Sequence, residues 1–413
     1  MFGLNAIRRT LGIVALAAGK VPSFNEKFKI QDRIRGPFPE GPCFWMHGAS
    51  LGECKMLLSL AKILRAELPD LPPILITTQK AEVCAYLEPL ASKEGVLVSI
   101  APLDTQSAIR NFMVAVKPVM LVLAENELWP GYLAAMREHS IRPSVALVSG
   151  RFYRCIDTHE FRSIGFVSMQ TGADLTRFVA AGDYSVAAKT IIGGDWKLLS
   201  WAKSGSEVES PKDFCVDTAF LSFHKEEWKP LLEMLELAVK ANESIVLAPR
   251  FEEELPKFRE GLEQAGISTV EWPEVKPGAV SLVTVYGKLT EVLQTSKSSV
   301  IGGSFSRSLG VHDFWESLKL GVATCIGPFS RGQQASVEAL LREGAIAQIK
   351  TAAEYSSRSV PDVKRVYCFL AHEREKVVSS YNAFVNFIQT TLETDNSESK
   401  NDSESKNNMD ASV

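Results

Sequence analysis

The sequence has no C-x-x-C pair and no H-x-x-x-H spacing. Its seven cysteines (Cys43, Cys54, Cys84, Cys155, Cys215, Cys325 and Cys368) are scattered and odd in number, which excludes a disulfide scaffold and points to a reducing compartment. Several lie in apolar runs and read as small core hydrophobes, none as a zinc ligand. The six histidines supply no metal motif, so neither a metal nor a cofactor is expected. An excess of one charge sign is missing too, since 45 Lys+Arg face 49 Asp+Glu for a formal charge of −4. Without a global basic field, nucleic acid is not an expected partner. What remains is an ordinary globular composition, 46% hydrophobic and 23% charged over 413 residues, long enough for two domains of common size.

The even balance hides a gradient. Residues 1–36 carry Arg8, Arg9, Lys20, Lys27, Lys29, Arg33 and Arg35 against Glu26 and Asp32, a local charge of +5, whereas residues 393–413 hold six acids and two lysines. Arg8-Arg9 followed by the apolar run Leu11–Ala18 has the outline of a short signal peptide, a buried helix or an interfacial anchor. The run falls well short of the roughly 20 residues that cross a bilayer as a helix. Unpaired cysteines argue against secretion, so residues 1–36 are expected to contact an anionic membrane surface from the cytoplasmic side. The tail at 393–413 repeats Ser-Glu-Ser-Lys-Asn and is almost free of apolar residues; it is expected to be disordered.

Between these ends, short apolar runs alternate with amphipathic stretches, the pattern of an α/β chain with parallel sheets. Strands are expected at Cys43–His47, Ile74–Thr78, Val96–Ile100, Val119–Ala124 and Ser144–Val148, with later ones near Phe166–Gln170 and Lys189–Ile192. A helix is expected over Gly52–Leu68, where Met56, Leu57, Leu60, Ile63 and Leu64 share one face. Residues 195–213 turn polar and rich in Gly, Ser and Pro, as a linker does. A second series follows, with strands at Ala219–Phe223, Ser244–Ala248, Val280–Val285, Ser298–Ile301 and Ala323–Ile326. The expected plan is two doubly wound domains, 37–194 and 214–392, with ligands bound in a cleft at the C-terminal ends of both sheets.

Two strand exits carry candidate chemistry. In His47-Gly48-Ala49-Ser50-Leu51-Gly52-Glu53 the glycines allow a tight turn and close backbone approach, and Glu53 sits at the start of a helix. Ser50 and Glu53 also have capping-box spacing, so structural and catalytic readings both fit. In Glu125-Asn126-Glu127-Leu128-Trp129-Pro130, two carboxylates leave a fully apolar strand, and one of them suits a helix cap.

These two stretches, with Ala248-Pro249-Arg250, Gly302-Gly303-Ser304 and His312-Asp313-Phe314-Trp315-Glu316, resemble in order and spacing the 3-deoxy-D-manno-octulosonic acid (Kdo) transferases of lipopolysaccharide synthesis. The resemblance runs over roughly residues 36–345. It implies a GT-B fold of two Rossmann-like domains, the first for the acceptor and the second for the nucleotide sugar. It further implies CMP-Kdo as donor, a lipid A precursor as acceptor, and attachment to the inner membrane. Glu53 then corresponds to the catalytic base that takes a proton from the acceptor hydroxyl. Glu125 corresponds to a second carboxylate supporting the transition state, and Lys197 to a cation near the reacting centre. His47, Ser50 and Gly52 fall on the acceptor side, and Glu127 orients the helix start at Trp129-Pro130. The donor side takes Pro249 and Arg250, the latter gripping the CMP phosphate, together with Tyr286, Gly287, Lys288, Gly303, Ser304, Asp313, Phe314, Trp315 and Glu316, whose carboxylate meets the ribose hydroxyls.

The chain departs from the family pattern where Thr284-Val285-Tyr286-Gly287-Lys288-Leu289 replaces an Asp-Thr-x-Gly-Glu-Leu stretch, and where Gln79-Lys80-Ala81-Glu82 replaces Thr-Pro-Thr-Gly. Lys288 and Asp313 could compensate each other around the nucleotide. The expected function is inverting Kdo transfer. Its alternatives are a GT-B transferase or epimerase using another nucleotide sugar, and a non-catalytic sugar-lipid-binding paralogue.

Overall fold

The computed structural model describes residues 22, 25, 28–139, 144–152, 164–180, 189–205, 213–285 and 287–410. The expected anchor at residues 1–20, Cys155 and the donor-side residue Tyr286 lie outside the described residues. The chain divides into two compact units, Met1–Ser204 with Glu375–Val413, and Gly205–Arg374.

The first unit holds β1 (Cys43–His47), β2 (Ile74–Thr78), β3 (Leu97–Ile100), β4 (Pro118–Ala124), β5 (Val145–Gly150), β6 (Ile164–Met169) and β7 (Thr190–Ile192). They form one sheet in the order β3-β2-β1-β4-β5-β6-β7, with every pairing parallel. Strands β1, β2 and β5 are buried throughout, which is why they read as continuous apolar runs rather than alternating ones. Trp45 of β1 lies opposite Leu75 and Leu121, and its ring meets Phe112 at 4.6 Å and Tyr132 at 5.0 Å. Helix Leu51–Glu67 covers the sheet with Cys54, Leu57, Leu60, Ala61 and Leu64, all fully buried. Each such leucine contributes about 1.5–3 kcal/mol by leaving water. The order reverses between β1 and β4, so a crevice opens beyond their carboxyl ends.

The second unit repeats the plan with β8 (Val216–Phe223), β9 (Ile245–Pro249), β10 (Thr269–Glu271), β11 (Val280–Leu282), β12 (Ser296–Ile301), β13 (Ala323–Ile326) and β14 (Ile346–Gln348). Their order is β10-β11-β9-β8-β12-β13-β14, again parallel throughout. The reversal falls between β8 and β12. Strand β12 buries Ser296, Ser298 and Ser299, which is tolerated because each hydroxyl is satisfied; Ser299 Oγ, for example, meets Ser317 at 3.2 Å and Thr324 at 3.3 Å. These are two Rossmann-like units of the GT-B type.

Two expected boundaries differ from the elements and units observed. Part of the expected linker at 195–213 is folded: Trp196–Leu198 forms a short 3-10 turn and Leu199–Lys203 a helix. Trp196, Leu198 and Leu199 are buried and anchor it against a polar background. The second domain, expected to run to 392, gives up its end: the last helix spans Val363–Asp410, and from Glu375 it belongs to the first unit. There Trp196 Nε1 donates to Ser380 Oγ at 2.9 Å and its ring meets Phe384 at 5.5 Å. The helix runs to Asp410. Cys43, Cys54 and Cys325 are buried as expected, but Cys215 and Cys368 are exposed. No helix among the described residues is long and apolar enough to cross a membrane.

Candidate active site

In the first unit the crevice between β1 and β4 gathers the predicted chemistry. Ser50 caps helix Leu51–Glu67, and the capping box is complete. Ala49 N–H donates to Glu53 Oε2 at 2.7 Å, and Ser50 Oγ donates to Oε1 at 2.8 Å. Gly48 makes this possible, since a Cβ there would stand 3.0 Å from the Glu53 Cβ. The cap fixes this carboxylate in position. Glu53 is 5% exposed. Burial, then the charges of Glu125 and Glu127, raise its pKa against the opposing bonds from Ser50 and Ala49, so Glu53 holds a proton more tightly than an ordinary carboxylate.

Glu125 follows β4 with a left-handed φ of +52° and is fully buried. Lys197 Nζ lies 3.0 Å from its Oε1, and Arg151 pairs with its Oε2. Sequence motifs missed Arg151. It stands directly after β5, the strand beside β4, and that place at a third neighbouring strand exit was the available signal. Lys197 is also next to Gly52, where an added Cβ would be 3.9 Å from Nζ. Its segment is held by Asp195, whose Oδ1 accepts from Lys197 N–H at 3.0 Å and from Ser149 Oγ at 3.3 Å.

The His47 imidazole has partners at both ring nitrogens, and its Nε2 also lies 3.7 Å from Glu127 Oε2. It is fully buried, with Nδ1 2.9 Å from Thr77 Oγ1 and Nε2 3.4 Å from the Gln79 amide nitrogen. The Gln79 oxygen accepts from Arg33, which turns the amide NH2 toward His47 and Tyr132. Gln79, the departure noted after β2, thus closes a network behind β1. Glu127 accepts from Trp129 Nε1 at 2.8 Å, the orienting role implied for it.

In the second unit, Pro249, Arg250, Gly287 and Lys288 line one pocket of about 110 Å³ with Ser222, Phe251 and Thr284. Among the described residues, Gly303, Ser304, Asp313, Phe314, Trp315 and Glu316 do not line it. Gly303 N–H donates to Glu227 Oε2 at 2.7 Å, and Gly327 N–H donates to Ser304 Oγ at 2.7 Å. Phe314 and Trp315 are buried, and Asp313 Oδ1 accepts from Trp315 N–H at 2.9 Å. Glu316 accepts from Thr290 Oγ1. Lys288 and Asp313 do not neutralise each other, because Lys288 Nζ pairs with Glu291 at 2.7 Å. At the β8–β12 reversal, His224 and His312 meet Nε2 to Nε2 at 2.6 Å with stacked rings. Burial, then Arg250 and His224, push the His312 pKa down to about 3, so this pair is neutral near pH 7. Among the described residues, His224, Glu226 and Glu254 could together hold a cation; Lys225 Nζ, 3.5 Å from Glu254, competes for that carboxylate.

Comparison with known proteins finds matches in both sequence and fold. Residues 22–191 match the family described as 3-deoxy-D-manno-octulosonic-acid transferase (kdotransferase). The chain is 23% identical over 340 residues to the 3-deoxy-D-manno-octulosonic acid transferase of Chlamydia trachomatis serovar D, covering 76% of this chain and 77% of that protein. It is 26% identical over 312 residues to the transferase of the same description from Aquifex aeolicus, covering 75% and 83%. The solved structure of UDP-GlcNAc 2-epimerase from Neisseria meningitidis bound to UDP-GlcNAc superposes with a TM-score of 0.50 at 10% identity, covering 84% of this chain and 100% of that one. That likeness shows the fold alone. The chain is a GT-B enzyme of the sugar-nucleotide-handling type and a family-level match to the Kdo transferases of lipopolysaccharide biosynthesis.

Proposed function

We propose that the chain is an inverting transferase that moves Kdo from CMP-Kdo to a lipid A-type acceptor. The observation that carries this reading is Glu53, a buried carboxylate fixed by its own helix cap, with raised proton affinity, beside the Glu125–Lys197–Arg151 ion-pair cluster. Glu53 takes the proton of the acceptor hydroxyl as its oxygen bonds to the anomeric carbon. The bond from that carbon to the CMP phosphate oxygen breaks, and CMP leaves with the electron pair. Arg250, at the exit of β9, grips the phosphate with its guanidinium fork. The first unit serves the acceptor and the chemistry, and the second the nucleotide. The basic N-terminal segment attaches the enzyme to the cytoplasmic face of the inner membrane.

The test incubates the protein with CMP-Kdo and tetra-acylated lipid A precursor and reads the mass gain of Kdo units. Glu53→Gln should lower turnover by about 10²–10⁴-fold while CMP-Kdo still binds; near-normal turnover would remove Glu53 from the base role. Deleting residues 1–20 should weaken partition onto anionic liposomes, and unchanged partition would contradict the anchor. A second reading, transfer from another nucleotide sugar, is favoured by the altered loop at 284–289, where Lys288 turns to Glu291. A panel of nucleotide sugars tested alongside CMP-Kdo decides between them.

A further inference from the structure

In the second unit, the loops that leave the neighbouring strands β12 and β13 are locked together. Gly327 N–H donates to Ser304 Oγ at 2.7 Å, and Phe329 N–H donates to the Ser304 carbonyl at 2.9 Å. Farther along, each loop carries an exposed arginine that reaches across to the other. Arg331 Nη1 donates to the Ser308 carbonyl at 3.0 Å, and the Arg307 guanidinium stands 5.6 Å from the centre of the Phe329 ring. Among the described residues neither arginine pairs with a carboxylate.

Helix Gln334–Arg342 starts directly after the second loop. Its nine residues include no acid in the first turn, and Gln333 at the N-cap makes no side-chain cap. Val337 N–H is the first to be satisfied, by the Gln333 carbonyl at 3.0 Å. The N–H groups of Gln334, Ala335 and Ser336 have no acceptor among the described residues, and they stand at the positive end of the helix dipole. Two buried side chains at the same place are also unsatisfied. Gln333 is 8% exposed and its Oε1 makes no hydrogen bond. Ser336 is 6% exposed, and its hydroxyl has no partner among the described residues. Buried polar groups left without partners are costly unless a ligand or water completes them. Gly332 keeps the approach open, since a Cβ built there would meet nothing within 4 Å.

We propose that the start of helix Gln334–Arg342, flanked by Arg331 and by Arg307 of the facing loop, is a second oxyanion site of this unit that takes the phosphate of a phosphorylated sugar. Helix N–H groups and a guanidinium fork approach from several directions, which suits the three terminal oxygens of a phosphoryl group. Two arginines match its double charge. Gln333 Oε1 is an acceptor, so the ligand must also bring a donor, and a sugar hydroxyl supplies it. None of these residues lines the pocket of Arg250, so the site stays available when a nucleotide occupies that pocket. The proposal does not depend on the transfer reading.

Glucose 1-phosphate, glucose and inorganic phosphate are titrated into the full chain, with and without CMP, and followed by ligand-observed NMR. Glucose 1-phosphate should bind in both conditions and more tightly than either of the others. Arg331→Met should weaken it about tenfold or more, and Arg331→Lys should keep part of the affinity. Gln334→Glu places a fixed carboxylate where the helix dipole favours one, so this variant should stay folded and lose the binding. Failure of wild type to bind glucose 1-phosphate overturns the proposal, as does its displacement by CMP. Inorganic phosphate or glucose binding as tightly overturns the assignment to a sugar phosphate. Unchanged affinity in folded Arg331→Met or Gln334→Glu overturns the location.

Discussion

Replacing Gly52 with alanine separates packing from ligand approach as the reason for a glycine. Gly52 has no left-handed backbone, and a Cβ built there would lie 3.7 Å from Lys197 Cε and 3.9 Å from Nζ. These are ordinary contact distances, so neither backbone nor packing demands glycine. Inside a helix alanine is favoured over glycine by about 0.5–1 kcal/mol, and near the helix start the gain falls toward the lower figure. For a domain of roughly 200 residues, 0.5 kcal/mol raises Tm by about 1–2 °C. The new methyl, however, occupies the space beside the Lys197 ammonium, which the family resemblance sets near the reacting centre. Misplacing a bound group by about 1 Å costs on the order of 10²-fold, so kcat/KM for CMP-Kdo transfer should fall by about tenfold to a hundredfold. Thermal melts and steady-state kinetics on the same preparation read both effects. A Gly52→Ala protein at least as stable as wild type, with undiminished kcat/KM, refutes the assignment of Gly52 to ligand approach.

Four further outcomes follow from the same geometry. Glu125→Gln removes a like charge that, after burial, raises the Glu53 pKa, and it releases two cations, so the acidic limb of kcat/KM should move to lower pH than in wild type; a pH-rate profile checks this. Because the folded-state pKa of Glu53 is raised, its contribution to stability is complete below the unfolded pKa and is lost as pH rises through the folded one. Urea melts should accordingly show wild type losing ground to Glu53→Gln over that window. Ser380→Ala leaves buried Trp196 Nε1 without its acceptor and should cost about 1–3 kcal/mol, with a fall in kcat from loosening of the Lys197 segment. Glu227→Gln should cost about 1–3 kcal/mol in urea melts, because both carboxylate oxygens accept backbone N–H groups and either amide orientation sets an NH2 against a donor.

The sequence is most legible where burial is complete. Strands β1, β2 and β13 have the bounds their apolar runs predict, since a central parallel strand is apolar on both faces. Strands β10 and β14 carry no such mark: each has three residues at a sheet edge, and β10 is largely exposed. Ending β5 at Val148 rather than Gly150 hid that Arg151 leaves the sheet beside Glu125. Trp196 and Leu199 were hidden by the polar residues around them. Motif spacing located Ser304 and Trp315 but could not show that their polar atoms are engaged within the fold.

The glycine loop after β12 has a partner within the fold. Gly302-Gly303-Ser304 stands on the donor side by resemblance, and one of its amides, that of Gly303, joins two others on an anion. That anion is Glu227, fully buried, which accepts from Gly303 N–H at 2.7 Å, Phe305 N–H at 2.9 Å and His224 N–H at 3.1 Å. Hydrogen bonds to a charged group contribute about 1.5–3 kcal/mol each, and burial opposes them by raising the proton affinity of Glu227. A nucleotide phosphate would have to displace this carboxylate to use the loop, at the cost of all three bonds. Arg250 carries a full charge at the exit of β9 and already lines the pocket. The glycines are then required for the backbone itself: Gly303 has φ +76°, and a Cβ there would stand 2.2 Å from the Gly310 oxygen. In the transfer reading the loop is a scaffold locked by Glu227, and recognition of the donor phosphate falls to Arg250.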